Sequence, residues 1–307
     1  MIDFCLLGTS GMTPLVNRHL SSGMLRYNGN SILIDCGEGT QVAIKKQGWS
    51  FKDINLICLT HFHADHTTGL PGLLASMANA EKDDSLIIIG PKGVKRLIDA
   101  VLIMAPKLPF TLKVIEITSE KEILSLLGLN ITAFRVQHGV TCLGYSFVLT
   151  RPGKFDVEMA KKNKIPESLW SKLQSEKVIE YEGRILTQSM IMGKPRKGIK
   201  LTYVTDSRPC TSIIDNAKDS DLFICEGMYG TAIDMPNAIK NHHMIFAEAA
   251  QLAKMAGVTE MWLTHYSPSI NKPADFLREA TYVFRNTVLG KDGMQKTLKY
   301  VDELWKE

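Results

Sequence analysis

The sequence predicts an α/β fold with helices outside packed strands, and three observations carry that reading. Strand-like apolar runs alternate along the chain with segments of helical period. Several of those runs end in a histidine or an aspartate. One of them leads into His61-Phe62-His63-Ala64-Asp65-His66, three imidazoles and a carboxylate within one short turn.

The elements follow in order. Residues 4–7 open the chain as a strand. Residues 24–27 and 32–35 flank Asn28-Gly29-Asn30, a hairpin signal. Residues 39–47, 70–79, 93–104 and 246–256 read as helices. Residues 54–60 form an apolar run that reads as a buried strand, as do 86–90, 143–150 and 222–225. No internal repeat or low-complexity stretch interrupts the pattern.

The residue types at the strand ends point to metal chemistry. Imidazole nitrogen and carboxylate oxygen hold Zn²⁺ without soft sulfur. His61 and His63 are two apart, so on an extended segment they point the same way and can share one ion. Asp65 and His66 lie further along and can reach a second. Downstream, residues 131–137 end at His138, 201–205 at Asp206 and 261–264 at His265. Strands stacked side by side in one direction bring such ends to one edge. The set is five histidines and two aspartates. That is too many for one tetrahedral structural site and suits two metals sharing a carboxylate.

Composition fits a cytoplasmic enzyme. With 307 residues, 45% of them hydrophobic and 22% charged, the chain can build one large domain over 1–307. Met1-Ile2-Asp3 runs straight into the first strand, unlike a signal peptide. No uninterrupted apolar stretch is long enough to suggest a membrane span. The six cysteines are scattered with no C-x-x-C pair, so they read as small buried hydrophobes rather than a disulfide frame.

Residues 151–200 break the pattern. They hold 12 Lys or Arg against 6 Asp or Glu, a net of +6, whereas the whole chain is +4, so the remainder sums to −2. Local positive charge with Phe155, Trp170 and Tyr181 suits a phosphate backbone, each cation displacing condensed counterions. Lys161, Lys162, Lys164, Lys172, Arg196 and Lys197 are the candidate RNA contacts. A solvated insertion with ordinary lysines is the plain alternative.

The ligand pattern resembles the metallo-β-lactamase fold of dinuclear zinc hydrolases. Within that fold the chain resembles ribonuclease Z, the tRNA 3′ endonuclease family. The resemblance rests on Phe4 through Gly11, Pro14 and Asn17-Arg18, Asp35-Cys36-Gly37-Glu38-Gly39-Thr40-Gln41 and Gly69-Leu70-Pro71-Gly72. It continues through Thr205-Asp206-Ser207-Arg208-Pro209-Cys210, Glu226-Gly227-Met228-Tyr229 and Leu263-Thr264-His265-Tyr266-Ser267-Pro268. Two places depart from the family. Glu167-Ser168 stands where its arm commonly has Gly-Pro. His243-Met244-Ile245 stands where a His-Ser-Thr is frequent.

The resemblance implies a four-layer αββα sandwich with 151–200 as an inserted tRNA-binding arm. It implies two zinc ions per chain, precursor tRNA as substrate, and a homodimer. One zinc is expected on His61, His63 and His138, the other on Asp65, His66 and His265, with Asp206 bridging. Asp65 is expected to take the proton of the attacking water, and His243 to protonate the departing 3′ oxygen. Asp35 is expected to orient the histidine loop through hydrogen bonds. The alternatives are a dinuclear zinc hydrolase of small phosphodiesters or related esters, and a binding protein with structural metal.

Overall fold

A computed structural model describes residues 1–105 and 107–301. Positions 106 and 302–307 of the expected 1–307 domain lie outside the described residues. The chain divides into two compact units. One joins Met1–Val148 to Lys200–Lys299, and the other is built on Leu149–Ile199.

The first unit contains two mixed seven-stranded sheets. The first sheet runs, edge to edge, Gln295–Leu298, Ile2–Gly8, Ser22–Tyr27, Asn30–Ile34, Ile54–Cys58, Leu86–Pro91 and Leu112–Ile117. The second runs Thr287–Leu289, Met261–Thr264, Leu222–Glu226, Arg196–Val204, Cys142–Arg151, Leu129–Val136 and Lys121–Leu126. The expected hairpin is present, with Tyr27 paired to Asn30 across a two-residue loop. Asn28 and Gly29 both take positive φ, 49° and 77°, as the tight turn between twisted strands requires.

Period-two alternation builds the layers. Phe4 points between the sheets, its ring 6.5 Å from Tyr203 and 6.2 Å from Trp262 of the facing sheet. Tyr145 Oη, from the second sheet, donates to the Leu59 carbonyl at 2.7 Å. Cys5 and Leu7 point the other way, into a core with Ala43, Leu73, Leu74 and Ile98 of helices Thr40–Lys46, Leu70–Asn79 and Val94–Leu102. On the far side, Phe223, Cys225 and Leu263 meet Ile213, Ala249, Ala250, Ala253 and Ala280 of helices Thr211–Ala217, Phe246–Ala256 and Leu277–Thr281. Alanine on that face of Phe246–Ala256 lets the helix lie close to the sheet. The result is the αββα sandwich.

The second unit has helices Val157–Lys162 and Glu167–Ser175 and a hairpin of Val178–Tyr181 with Arg184–Thr187. Ala160, Ile165, Leu173, Ile179, Leu186 and Ile191 form its own small core. Phe155 and Trp170 stack into it, ring centroids 5.1 Å apart, and Trp170 Nε1 donates to the Ile165 carbonyl at 3.0 Å. Both rings are half-buried, so each packs one face on this core. Tyr181 stays exposed. The chain leaves for this unit along Cys142–Arg151 and returns along Arg196–Val204, which are neighbours in the second sheet.

Candidate metal centre

Strands Arg196–Val204, Leu222–Glu226 and Met261–Thr264 are parallel, so their carboxyl ends share one edge. Asp206 and His265 come just after two of these ends, and His138 follows Leu129–Val136. His61 and His63 follow Ile54–Cys58. Asp65 and His66 lie on the short helix Ala64–Thr67, a single turn that His63 leads into. Asp35 and His265 hold left-handed backbone, φ 57° and 56°. Such backbone is uncommon outside glycine and clusters at functional sites.

The seven expected ligands converge. His61 Nε2 and His138 Nε2 lie 3.5 and 3.8 Å from Asp206 Oδ2. His138 Nε2 is 3.4 Å from His63 Nδ1. His66 Nε2 and His265 Nε2 lie 3.2 and 3.1 Å from the other oxygen, Asp206 Oδ1. Both nitrogens are 3.4 Å from Asp65 Oδ2. Asp206 thus offers one oxygen to each group. Within His61, His63, His138 and Asp206, and within Asp65, His66 and His265, the donor atoms all lie within 4.8 Å of one another.

The donor set fits a metal. His61 Nε2 and Asp206 Oδ1 are buried and make no hydrogen bond. A buried lone pair without a partner costs roughly 1–3 kcal/mol, and a cation among the donors removes that cost. Three of the other ring nitrogens are already engaged. His66 Nδ1 meets Asp35 Oδ2 at 2.8 Å. His138 Nδ1 donates to the His242 carbonyl at 3.1 Å, and His61 Nδ1 lies 3.0 Å from Thr60 Oγ1. A hydrogen bond at one nitrogen fixes the tautomer and turns the other towards the ion.

Electrostatics follow from burial and neighbours. Burial holds His61 and His138 below the usual imidazole range. For Asp65 and Asp206 burial opposes charge, but the surrounding histidines, His265 foremost, outweigh it and hold both carboxyls well below their usual range. At His66 burial favours the neutral ring, yet Asp206 and Asp35 pull a positive charge onto it. The pocket is built to attract a cation.

Asp35 stands behind His66 rather than among the donor atoms. It is fully buried and also accepts from Thr60 N at 2.8 Å. Asp35→Ala is expected to weaken metal affinity by roughly 10–100-fold, as loss of an outer hydrogen-bond partner does. Competition against a chromophoric chelator measures this. Wild-type affinity in the folded variant would remove Asp35 from the site.

His243 lies beside the cage. Its ring is 5.5 Å from that of His265 and 5.2 Å from that of His138. Nδ1 lies 3.1 Å from Glu226 Oε1. Burial opposes its charge, but Glu226 overrides this and pushes the imidazole up to about 9. Glu226 is fully buried and also accepts from Ser207 N at 2.6 Å and Met244 N at 3.1 Å. Sequence reasoning gave Glu226 no role of its own. The signal was present, since Glu226 closes the apolar run 222–225 as Asp206 and His265 follow theirs. Lys161, Lys162, Lys164, Lys172 and Lys197 are exposed on the second unit. Arg196 is half-buried there, its Nε donating to the Pro152 carbonyl at 3.0 Å.

Two sheets between helical layers, with a His/Asp cage at the strand ends, define a metal-binding protein of the metallo-β-lactamase fold. Solved structures share that fold. The short form of human tRNase Z aligns over 97% of this chain and 100% of its own, with TM-score 0.71 and 21% identity. The metallo-β-lactamase fold protein YhfI of Bacillus subtilis aligns over 96% and 98%, with TM-score 0.69 and 20% identity. Ribonuclease Z of Lachnospira eligens is 54% identical over 303 residues, covering 99% of this chain and 100% of its own. That of Lachnoclostridium phytofermentans is 53% identical over 300 residues, covering 98% and 99%. The chain belongs to the ribonuclease Z family and, by a match over residues 2–289, to the family described as anti-Pycsar protein Apyc1.

Proposed function

We propose that the protein is a zinc-dependent endoribonuclease that removes the 3′ trailer from precursor tRNA. Kinship with ribonuclease Z over nearly the whole chain supports the substrate class. The observation that carries the chemistry is the pair of donor groups sharing Asp206, with His243 held by Glu226 beside them.

The donors are nitrogen and oxygen only, a set that suits zinc. His61, His63 and His138 would hold one ion, Asp65, His66 and His265 the other, and Asp206 both. Bound zinc supplies Lewis acidity, acidifying water towards neutrality and drawing off phosphate charge. Asp65 Oδ2 accepts from Met12 N at 2.8 Å, which fixes the carboxylate that receives the water's proton. His243 delivers a proton to the departing 3′ oxygen, and Glu226 holds the ring that does so. A homodimer in the cytoplasm completes the reading. Among the described residues no helix is long and apolar enough to cross a membrane.

Incubation with a 3′-extended tRNA precursor and with a nitrophenyl phosphodiester tests the proposal. Cleavage at the 3′ side of the acceptor stem is expected. Turnover of the small ester alone would shift the reading to a small-phosphodiester hydrolase.

The second unit, built on Leu149–Ile199, is proposed as the tRNA-gripping arm. Deleting 155–181 would strip Leu173 and Ile179 from its core, so charge is the better probe. Changing Lys161, Lys162, Lys164 and Lys172 together to Gln is expected to weaken precursor binding. It should flatten the log affinity–log salt slope by about 0.7–0.9 for each phosphate no longer neutralised. Small-ester turnover should change far less. An unaltered slope in the folded variant would clear these lysines of RNA contact.

A further inference from the structure

We propose that Arg208, through Glu248, is a positioning residue that sets the leaving-group acid His243; the inference rests on the nuclease reading above. Arg208 lies two residues beyond Asp206. Its backbone N–H donates to the Gln137 carbonyl at 2.7 Å, and Gln137 N donates to Ser207 Oγ at 3.0 Å. The turns carrying His138 and Asp206 are thereby stitched together.

The guanidinium reaches a third segment. Nη1 donates to the His243 carbonyl at 2.6 Å and to Glu248 Oε2 at 2.8 Å, and Nη2 donates to Glu248 Oε1. Glu248 Oε2 also accepts from Ile245 N at 3.1 Å, closing the first turn of helix Phe246–Ala256. Arg208 therefore grips the carbonyl at residue 243, and Glu248 the N–H at 245. Glu226 takes Met244 N and the His243 ring between them. His242, immediately before, sits at φ 59°, a left-handed conformation that neighbouring contacts must enforce.

This is more than an exposed ion pair. The two side chains are 16% and 18% exposed, and the pairing is bidentate. A planar fork that spans a carboxylate and a carbonyl is specific to arginine, and lysine offers only a point charge.

The chemistry separates positioning from plain stability. A 3′ oxygen leaves badly without a proton, whereas nitrophenolate leaves well without one. Loss of His243 alignment must therefore damage RNA cleavage more than nitrophenyl ester cleavage. Arg208→Lys and Glu248→Gln, which break the clamp from opposite sides, are each expected to lower kcat on precursor tRNA by about 10–100-fold, below the range for removing an acid outright. KM should hold, metal content should match wild type, and nitrophenyl ester turnover should fall at least about ten-fold less. The double variant should be scarcely worse than either single one, as for residues acting as a unit. Equal losses on the two substrates, or metal loss alongside the drop, would overturn the inference while the wild type still cuts tRNA. A wild type that leaves the precursor uncut overturns the nuclease reading itself, and the inference with it.

Discussion

Asp206→Asn is expected to abolish turnover and empty the metal centre. Asparagine keeps the shape of the side chain and removes its charge. The carboxylate presents one oxygen to His61 and His138 and the other to His66 and His265, so both halves of the cage lose their common anion. Losing an outer hydrogen-bond partner already costs roughly 10–100-fold in affinity, and losing a shared ligand must cost more than that at each ion. Elemental analysis and cleavage assays on the same sample read both effects. Two metals per chain with turnover near wild type would dismiss Asp206 as the bridge.

His243→Ala should leave the metals in place and slow RNA cleavage by roughly 10²–10⁴-fold, the usual contribution of a positioned general acid. The ring meets the two requirements of that role. Glu226 stabilises its protonated form against the cost of burial. The ring also lies against both halves of the cage, ring to ring with His138 and His265. Rates within error of wild type, with the metal content unchanged, would make it a packing residue.

Much of this was legible in the sequence because the ligands punctuate strands. An apolar run that stops at a histidine or aspartate shows both the element and its functional end, as at His138, Asp206 and His265. Helices Leu70–Asn79 and Phe246–Ala256 match the sequence reading at both ends. In the two large sheets, the strands that escaped notice are Leu112–Ile117, Lys121–Leu126, Thr287–Leu289 and Gln295–Leu298. These are the four edges of the two sheets. An edge strand buries less and carries charge, as Lys121 and Glu122 do, so its apolar signal is faint. The Arg208–Glu248 pair was hidden for another reason. The two side chains and the His243 carbonyl are brought together only by the fold, and sequence spacing does not encode that meeting.

The exit and return of the chain on adjoining strands has an evolutionary consequence. Cys142–Arg151 and Arg196–Val204 are hydrogen-bonded neighbours, so the ends of whatever lies between them are already held together by the sheet. Doubling the length of such an excursion adds only about 0.6 kcal/mol of closure entropy. The ligand-bearing ends of the sandwich are specified by other contacts. A lineage can therefore lengthen, trim or exchange the intervening cassette while the hydrolytic centre is inherited intact.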